Sequence, residues 1–323
     1  MKVLLTGAGG YIGTALIAHL QALPADSGVE LSVLYRNGVT EPDRAEASTE
    51  LSAEIALKSG VRVLHGDLRD AAVCEQACAG QDVIVHLAGQ AHVTGRGVDH
   101  QRNTLGLTMA LAEAAMQQGV RRFIHISSSK AHFPRHSAYA RAKREAEEQL
   151  LALHHQGKLE VTCLRPALVY GPAMRGNLRS MMKVLLRRRL LAFPASNLPL
   201  GMIGLDDCCR ALVTALQTPT LDGHCWDLND GGHYSLDILV QELRKRAGLA
   251  RPWLRLPPKA VKLAAGLSGL LSPLTGSSFS LATYRALYEE PYRLDDSFAA
   301  HTGFKAQQSF RSTLPAILKE LQQ

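Results

Sequence analysis

Short runs of apolar and β-branched residues, each followed by a stretch of helical period, constrain this chain more than any single residue does. Residues 2–6, 31–35, 61–64, 82–87, 122–126 and 160–164 read as strands with almost no polar alternation. Helical patterns fall between them, at 11–23, about 49–58, 70–78, 103–118 and 137–155. Strands that are apolar on both faces must be covered on both faces, and helices of this length return the chain parallel. The expectation is α/β: a doubly wound parallel sheet with its ligands at the carboxyl ends of the strands. After Pro166 the rhythm changes to short helices punctuated by prolines. Residues 1–170 are therefore taken as the sheet domain, with 203–229 returning to it. Residues 171–202 and 230–323 form a smaller, mostly helical lobe that holds the substrate.

The first strand runs into Gly7-x-x-Gly10-x-x-Gly13, and a helix opens near Tyr11. Glycines there leave room for a pyrophosphate to approach the backbone. The helix start supplies unpaired N–H groups and the positive end of its dipole. In that context the motif predicts a Rossmann-type dinucleotide site. The second strand ends in Tyr35-Arg36-Asn37. A carboxylate at this place would bond a ribose 2′-hydroxyl and favour NAD; Arg36 can instead pair with a 2′-phosphate. NADP is the expected cofactor and NAD the alternative, in which Arg36 stacks on adenine or faces solvent.

Tyr139 and Lys143 lie four apart on the 137–155 helix, hence on one face. A free tyrosine, with its pKa near 10, is a poor base at neutral pH. The lysine ammonium and an oxidised nicotinamide would together favour the phenolate. Tyr139 would then exchange a proton with a hydroxyl or carbonyl oxygen as hydride passes to or from the cofactor. Ser127-Ser128-Ser129 ends the fifth strand and offers the hydroxyl that holds the substrate oxygen.

Composition narrows the alternatives. No run approaches the roughly 20 apolar residues of a membrane span, and the N-terminus does not read as a secretory leader. A cytoplasmic protein is expected. The 257–271 stretch is amphipathic enough to lie on a membrane surface, but the expectation is a helix packed in the substrate lobe. The six cysteines lack zinc-like spacing, and Pro134 separates His132 from His136, so no metal is expected. Basic residues exceed acidic ones, 36 to 29, but no basic stripe interleaves with aromatics, so nucleic acid is not an expected partner. Arg187-Arg188-Arg189 reads either as a solvated face or as attraction for an anionic substrate.

Taken together, these motifs resemble the extended short-chain dehydrogenase/reductase family, within it the nucleotide-sugar epimerases, dehydratases and 4-keto reductases. The resemblance rests on Thr6-Gly7-Ala8-Gly9-Gly10-Tyr11-Ile12-Gly13, Gly66-Asp67-Leu68, and His86-Leu87-Ala88-Gly89. It continues through Asn103, Ile126-Ser127-Ser128, Tyr139 to Lys143, and Leu164-Arg165-Pro166 to Gly171-Pro172. It implies that Asp67 and Leu68 contact adenine, and that Leu87, Ala88, Gly89 and Asn103 line or position the cofactor cleft. Pro166 begins the segment beside the nicotinamide, and Tyr11 and Ile12 belong to the phosphate loop. Ser128 becomes the catalytic hydroxyl, with Ser129 the runner-up on the substrate side. Asn177 and Leu178 fall where a UDP- or dTDP-sugar meets the substrate lobe. The implied function is NAD(P)-dependent epimerisation or 4-keto reduction, of the kind found in bacterial surface-polysaccharide synthesis. The resemblance also implies that helices 103–118 and 137–155 can pair two copies as a homodimer.

Two departures stand out. Ser128 and Tyr139 are only 11 apart, where sugar-active relatives carry a longer covering loop. The arginine that relatives place before Met202-Ile203-Gly204 is replaced by Pro199-Leu200-Gly201, leaving Arg285 or Arg293 to grip a diphosphate. Reduction of a smaller, non-nucleotide carbonyl compound is the second reading. A dinucleotide-binding sensor without turnover is the third.

Overall fold

A computed structural model describes residues 1–36, 61–89, 99–187, 192–194, 196–250, 252, 254–263, 265, 284–285 and 288–321. The helix expected at 49–58 lies outside these residues.

β1 (Lys2–Thr6) shows why the sheet forms: Val3, Leu4 and Leu5 are fully buried, although successive side chains point to opposite faces. Val3 and Leu5 join Val33, Val85, Ile124 and Leu164 in one core; Leu4 joins Leu34, Ile84, Phe123 and Val161 in another. A strand apolar on both faces cannot sit at a solvated surface, so helices cover each side. α1 (Tyr11–Gln21) and α6 (Leu205–Gln217) pack over the first face; α2 (Ala71–Cys78), α3 (Leu107–Gln117) and α4 (Ala138–His155) cover the second.

Besides β1 the sheet comprises β2 (Glu30–Tyr35), β3 (Val61–His65), β4 (Val83–His86), β5 (Arg122–Ile126), β6 (Glu160–Pro166) and β10 (Cys225–Leu228). Its order is β10-β6-β5-β4-β1-β2-β3, and every pairing is parallel. The chain runs outward from β1 to β3, then crosses back to place β4 on the other side of β1. That reversal leaves a crevice beyond the carboxyl ends of β1 and β4.

A third core brings together Tyr170, Met174, Leu178 and Met182 with Leu236, Leu239 and Leu243 and with Phe310, Leu314 and Ile317. Its helices are α5 (Gly176–Leu185), α7 (Leu236–Arg246) and α9 (Phe310–Leu321). α8 (Ser297–Thr302) carries Phe298 back to the first core. Short strand pairs accompany this part: β7 (Leu168–Tyr170) with β9 (Met202–Gly204), and β8 (Ala192–Pro194) with β11 (Leu254–Leu256).

The 103–118 helix differs from expectation at its start. Residues 101–106 are wound more widely than an α-helix, and α3 proper begins at Leu107. The Thr108 hydroxyl donates to the Thr104 carbonyl at 2.8 Å, taking up an acceptor of the widened turn. α4 begins where Ser137 caps it, accepting from the Ala140 N–H at 3.1 Å. All six cysteines are free thiols. Among the described residues no helix is long and apolar enough to cross a membrane, and no group of three or more His, Cys, Asp or Glu could hold a metal. Most of 264–271 lies outside the described residues; the helical turn before it leaves Leu263 exposed.

Candidate functional site

Because the strands are parallel, the segments after β1, β4, β5 and β6 emerge at one edge, and the expected site residues emerge with them. Gly7 has φ +76°, and a Cβ there would stand 2.7 Å from the backbone of Leu87 and Ala88. Only glycine lets the β1 turn lie this close to the β4 turn. A Cβ on Gly13 would strike the Gly7 carbonyl, so the helix must also be bare at its first turn. Gly10 begins α1 without a side-chain cap, which leaves first-turn N–H groups open to an anion. Ile12 packs against the first core. The Tyr11 ring meets the third core, and its hydroxyl, buried without a partner, lies where a Cβ on Gly171 would stand.

At the adenine end, Leu68 is buried and Asp67 is held by Arg69, which donates from Nε at 2.9 Å and Nη2 at 2.5 Å. That hydrogen bond, with the nearby Arg36 charge contributing, keeps the Asp67 carboxyl below the usual range. Arg36 itself is exposed at the end of β2. Tyr35 stacks on His65 with centroids 6.0 Å apart and faces Gly9.

In the cleft, Gly89 is open on the side facing Lys143: a Cβ there would lie 3.8 Å from Nζ and from the Thr104 hydroxyl. Lys143 is 4% exposed and donates to the Ile126 carbonyl at 2.6 Å. Burial pushes its pKa down to about 8, and Glu147 opposes that shift. Glu147, one turn further along α4, is gripped bidentately by Arg165 at 2.8 and 2.6 Å, both buried. Arg165 directly precedes Pro166 at the end of β6.

Without cofactor, burial pushes the Tyr139 phenol up to about 12, and a side-chain hydrogen bond from Ser128 works the other way. The Lys143 ammonium is committed to the Ile126 carbonyl. The Ser128 hydroxyl also accepts from the Lys130 N–H at 3.2 Å. Ser128, Tyr139, Lys143 and Gly89 thus stand together, with Asn103 on the widened turn beside Thr104.

The other expected residues are dispersed. Ser129 opens the short turn after Ser128. Asn177 and Leu178 lie in α5, where Leu178 is spent on the third core. A separate cavity of about 530 Å³ is lined by Asn197, Leu200, Tyr234, Gln241, Arg255 and Tyr292, among others. Tyr292 feels the charge of Asp227 on β10, and Asp227 contacts His132 on the turn after Ser128. Arg285 is bound to the His136 carbonyl and Arg293 is exposed.

Sequence reasoning missed His100, whose ring meets Tyr139 edge-on at 5.8 Å and whose Nδ1 is buried without a partner. It missed Glu147 as well, although a position four after Lys143 on one helix face could have raised it.

The edge fits a dinucleotide on its own terms. A side-chain-free loop meets an uncapped helix, and polar atoms of Tyr11, His100, Thr104 and Ser127 are buried without hydrogen-bond partners. Buried polar groups of that kind cost stability unless something completes them. Residues 3–229 match the profile of the NAD dependent epimerase/dehydratase family. The chain belongs to that family. It is an enzyme of the extended short-chain dehydrogenase/reductase type. It is 28% identical over 304 residues to a UDP-glucose 4-epimerase of Vibrio cholerae, spanning 85% of this chain and 86% of the relative. It is 27% identical over 315 residues to sterol demethylase protein B of Methylococcus capsulatus, spanning 89% and 86%. Among solved structures, a UDP-glucuronic acid 4-epimerase of Bacillus cereus with NAD and a fluorinated UDP-sugar superposes with a TM-score of 0.78. That pair is 21% identical and covers 100% of this chain and 99% of the other.

Proposed function

We propose that this family member catalyses oxidation or reduction at C4 of a UDP- or dTDP-hexose, as an epimerase or a 4-keto reductase in surface-polysaccharide synthesis. The observation that carries the reading is the meeting of Ser128, Tyr139 and Lys143 beside Gly89, at the edge that also presents the glycine loop. The sheet domain 1–170, with 203–229, holds the cofactor; 171–202 and 230–323 hold the sugar nucleotide, with the cavity at Tyr234 and Tyr292 taking its far end.

A nicotinamide held in this cleft would give hydride to the C4 carbonyl carbon in reduction or take it from the carbinol carbon in oxidation. The protein's residues handle the oxygen and its proton. Ser128 donates to the reacting oxygen and fixes its direction. Tyr139 takes the proton from the hydroxyl in oxidation and returns it in reduction. A phenol held near 12 is a fitting acid for a forming alkoxide, and positive charge on the bound nicotinamide lowers it for the reverse role. Lys143 holds the nicotinamide ribose, and the charge of Glu147, gripped by Arg165, favours its ammonium form. Leu87, Ala88, Asn103 and Pro166 line the cleft, and Asp67 and Leu68 sit at the adenine.

For the cofactor, Arg36 and Arg69 around Asp67 favour a 2′-phosphate, hence NADP over NAD. Arg36→Ala is expected to weaken NADPH about tenfold and leave NADH within about twofold, as loss of one charged contact would.

Thermal shift with UDP, dTDP and their hexose conjugates tests the substrate class. Stabilisation by one nucleotide is expected; no response to any of them contradicts it. Two observations favour a second reading: Arg285 is engaged with the His136 carbonyl, and no cation stands at 199–201. Reduction of a smaller, apolar carbonyl compound accommodates both facts.

A further inference from the structure

Ser128 is followed by a segment, 129–136, that distant parts of the chain tie down at four points. Lys130 Nζ donates to one oxygen of Glu290 at 2.5 Å, and His136 Nδ1 lies 3.0 Å from the other. His132 Nε2 lies 2.7 and 3.0 Å from the two oxygens of Asp227. Arg285 Nη1 donates to the His136 carbonyl at 3.1 Å. The carboxylates are the buried partners, at 8% exposure for Glu290 and 5% for Asp227. A buried carboxylate that loses its hydrogen-bond partner is costly, so these contacts hold the segment firmly rather than decorate a surface.

The contacts continue inward. The backbone N–H of Lys130 donates to Ser128 Oγ, and Ser128 in turn bonds the Tyr139 hydroxyl. Glu290 therefore reaches the reacting pair through one residue. It also lies two positions before Tyr292, which lines the cavity and whose N–H donates to the Pro199 carbonyl at 2.9 Å. Occupancy of the cavity and alignment of the serine thus share one stretch of chain.

We propose that Glu290 and Asp227 are positioning residues. Glu290, from the second lobe, and Asp227, from the edge strand, clamp segment 129–136, and through Lys130 and His132 respectively they set where Ser128 stands against Tyr139. The clamp does for this chain what a longer loop after the serine would do by its own bulk. The inference rests on the reading of Ser128 and Tyr139 as the reacting pair.

The clamped segment contains two tryptic sites, after Lys130 and after Arg135. Nicking is measured by mass spectrometry at both sites in the full-length protein and its Glu290→Gln and Asp227→Asn variants, and at Arg135 in Lys130→Gln, which removes the first site. The last breaks the same link from its half-exposed side should the buried variants fold poorly. Turnover is measured with UDP-glucose and UDP-galactose, alone and in a Ser128→Ala background. Nicking is expected to rise about tenfold or more, because loosening one clamp raises the local opening population. With Glu290→Gln, kcat is expected to fall about tenfold with KM and cofactor affinity unchanged, to recover in Glu290→Asp, and to fall no further when Ser128 is already alanine. Unchanged nicking overturns the clamp. Faster nicking with unchanged kcat, or an undiminished Glu290 effect without Ser128, overturns its positioning role. Wild-type protein inert to both sugars and to their dTDP counterparts contradicts the nucleotide-sugar reading; the nicking contrast then stands as a purely structural tie, and the positioning claim is withdrawn.

Discussion

Lys143 is the residue on which stability and function pull apart. Its pKa falls from 10.5 to about 8 because burial disfavours the ammonium. Between those values the unfolded chain binds more protons than the folded one, so stability rises as pH climbs from about 8 towards 10.5. Below pH 8 the buried charge costs on the order of 3 kcal/mol. Lys143→Met is therefore expected to raise the melting temperature at pH 7 while abolishing turnover; a lower melting temperature would mean that the bond to Ile126 outweighs the desolvation. Tyr139→Phe is expected to lower kcat by at least about 100-fold with cofactor affinity retained, since a positioned acid–base group contributes on that order. The four-residue spacing of Tyr139 and Lys143 was legible in the sequence, because helix geometry alone puts them on one face. The direction of the ammonium was not. It depends on the end of β5 standing beside α4, an apposition that no local pattern encodes.

At the scale of elements, β4 and β5 carry an unusual load. His86 and His125 face one another across the pair, stacked at 5.7 Å and fully buried. His86 is bonded to the hydroxyls of Thr6 and Thr108, whereas both ring nitrogens of His125 lack partners. Burial, with the Lys143 charge adding to it, holds both neutral: His86 falls to about 3 and His125 well below its ordinary value. The unfolded chain takes up these protons first, so stability present above pH 6.5 is lost as pH falls from there towards 3. His125→Phe removes two orphaned nitrogens without opening a cavity. It is expected to stabilise the protein by about 1–3 kcal/mol and to flatten the acid limb in urea titrations at pH 7.5 and 5. Unchanged stability at both pH values would show that water completes His125. The strands themselves were readable because they are apolar on both faces. The widened turn at 101–106 was not, because its period differs little from that of the helix it opens.

For the whole molecule, the parallel sheet and its reversal between β3 and β4 followed from the order of strands and helices, and with them the edge where the site lies. The third core did not, since Tyr170, Leu239 and Phe310 meet from parts of the chain with no shared period. The same distance hid Asp227 and Glu290, whose partners lie 95 to 160 residues away. Leu178, expected at the substrate, packs in that core. Long-range packing thus decided what the short motifs left open. An epimerase must keep its nicotinamide through the cycle and a 4-keto reductase must release it, so purified protein carrying tightly bound cofactor favours the former. The most direct measurement is the change in nicotinamide absorbance when cofactor-loaded protein is mixed with UDP- and dTDP-hexoses, in wild type and Tyr139→Phe. The expected result is a change in wild type with at least one sugar and none in the variant, at equal cofactor occupancy. A variant that responds as fast as wild type would contradict the account.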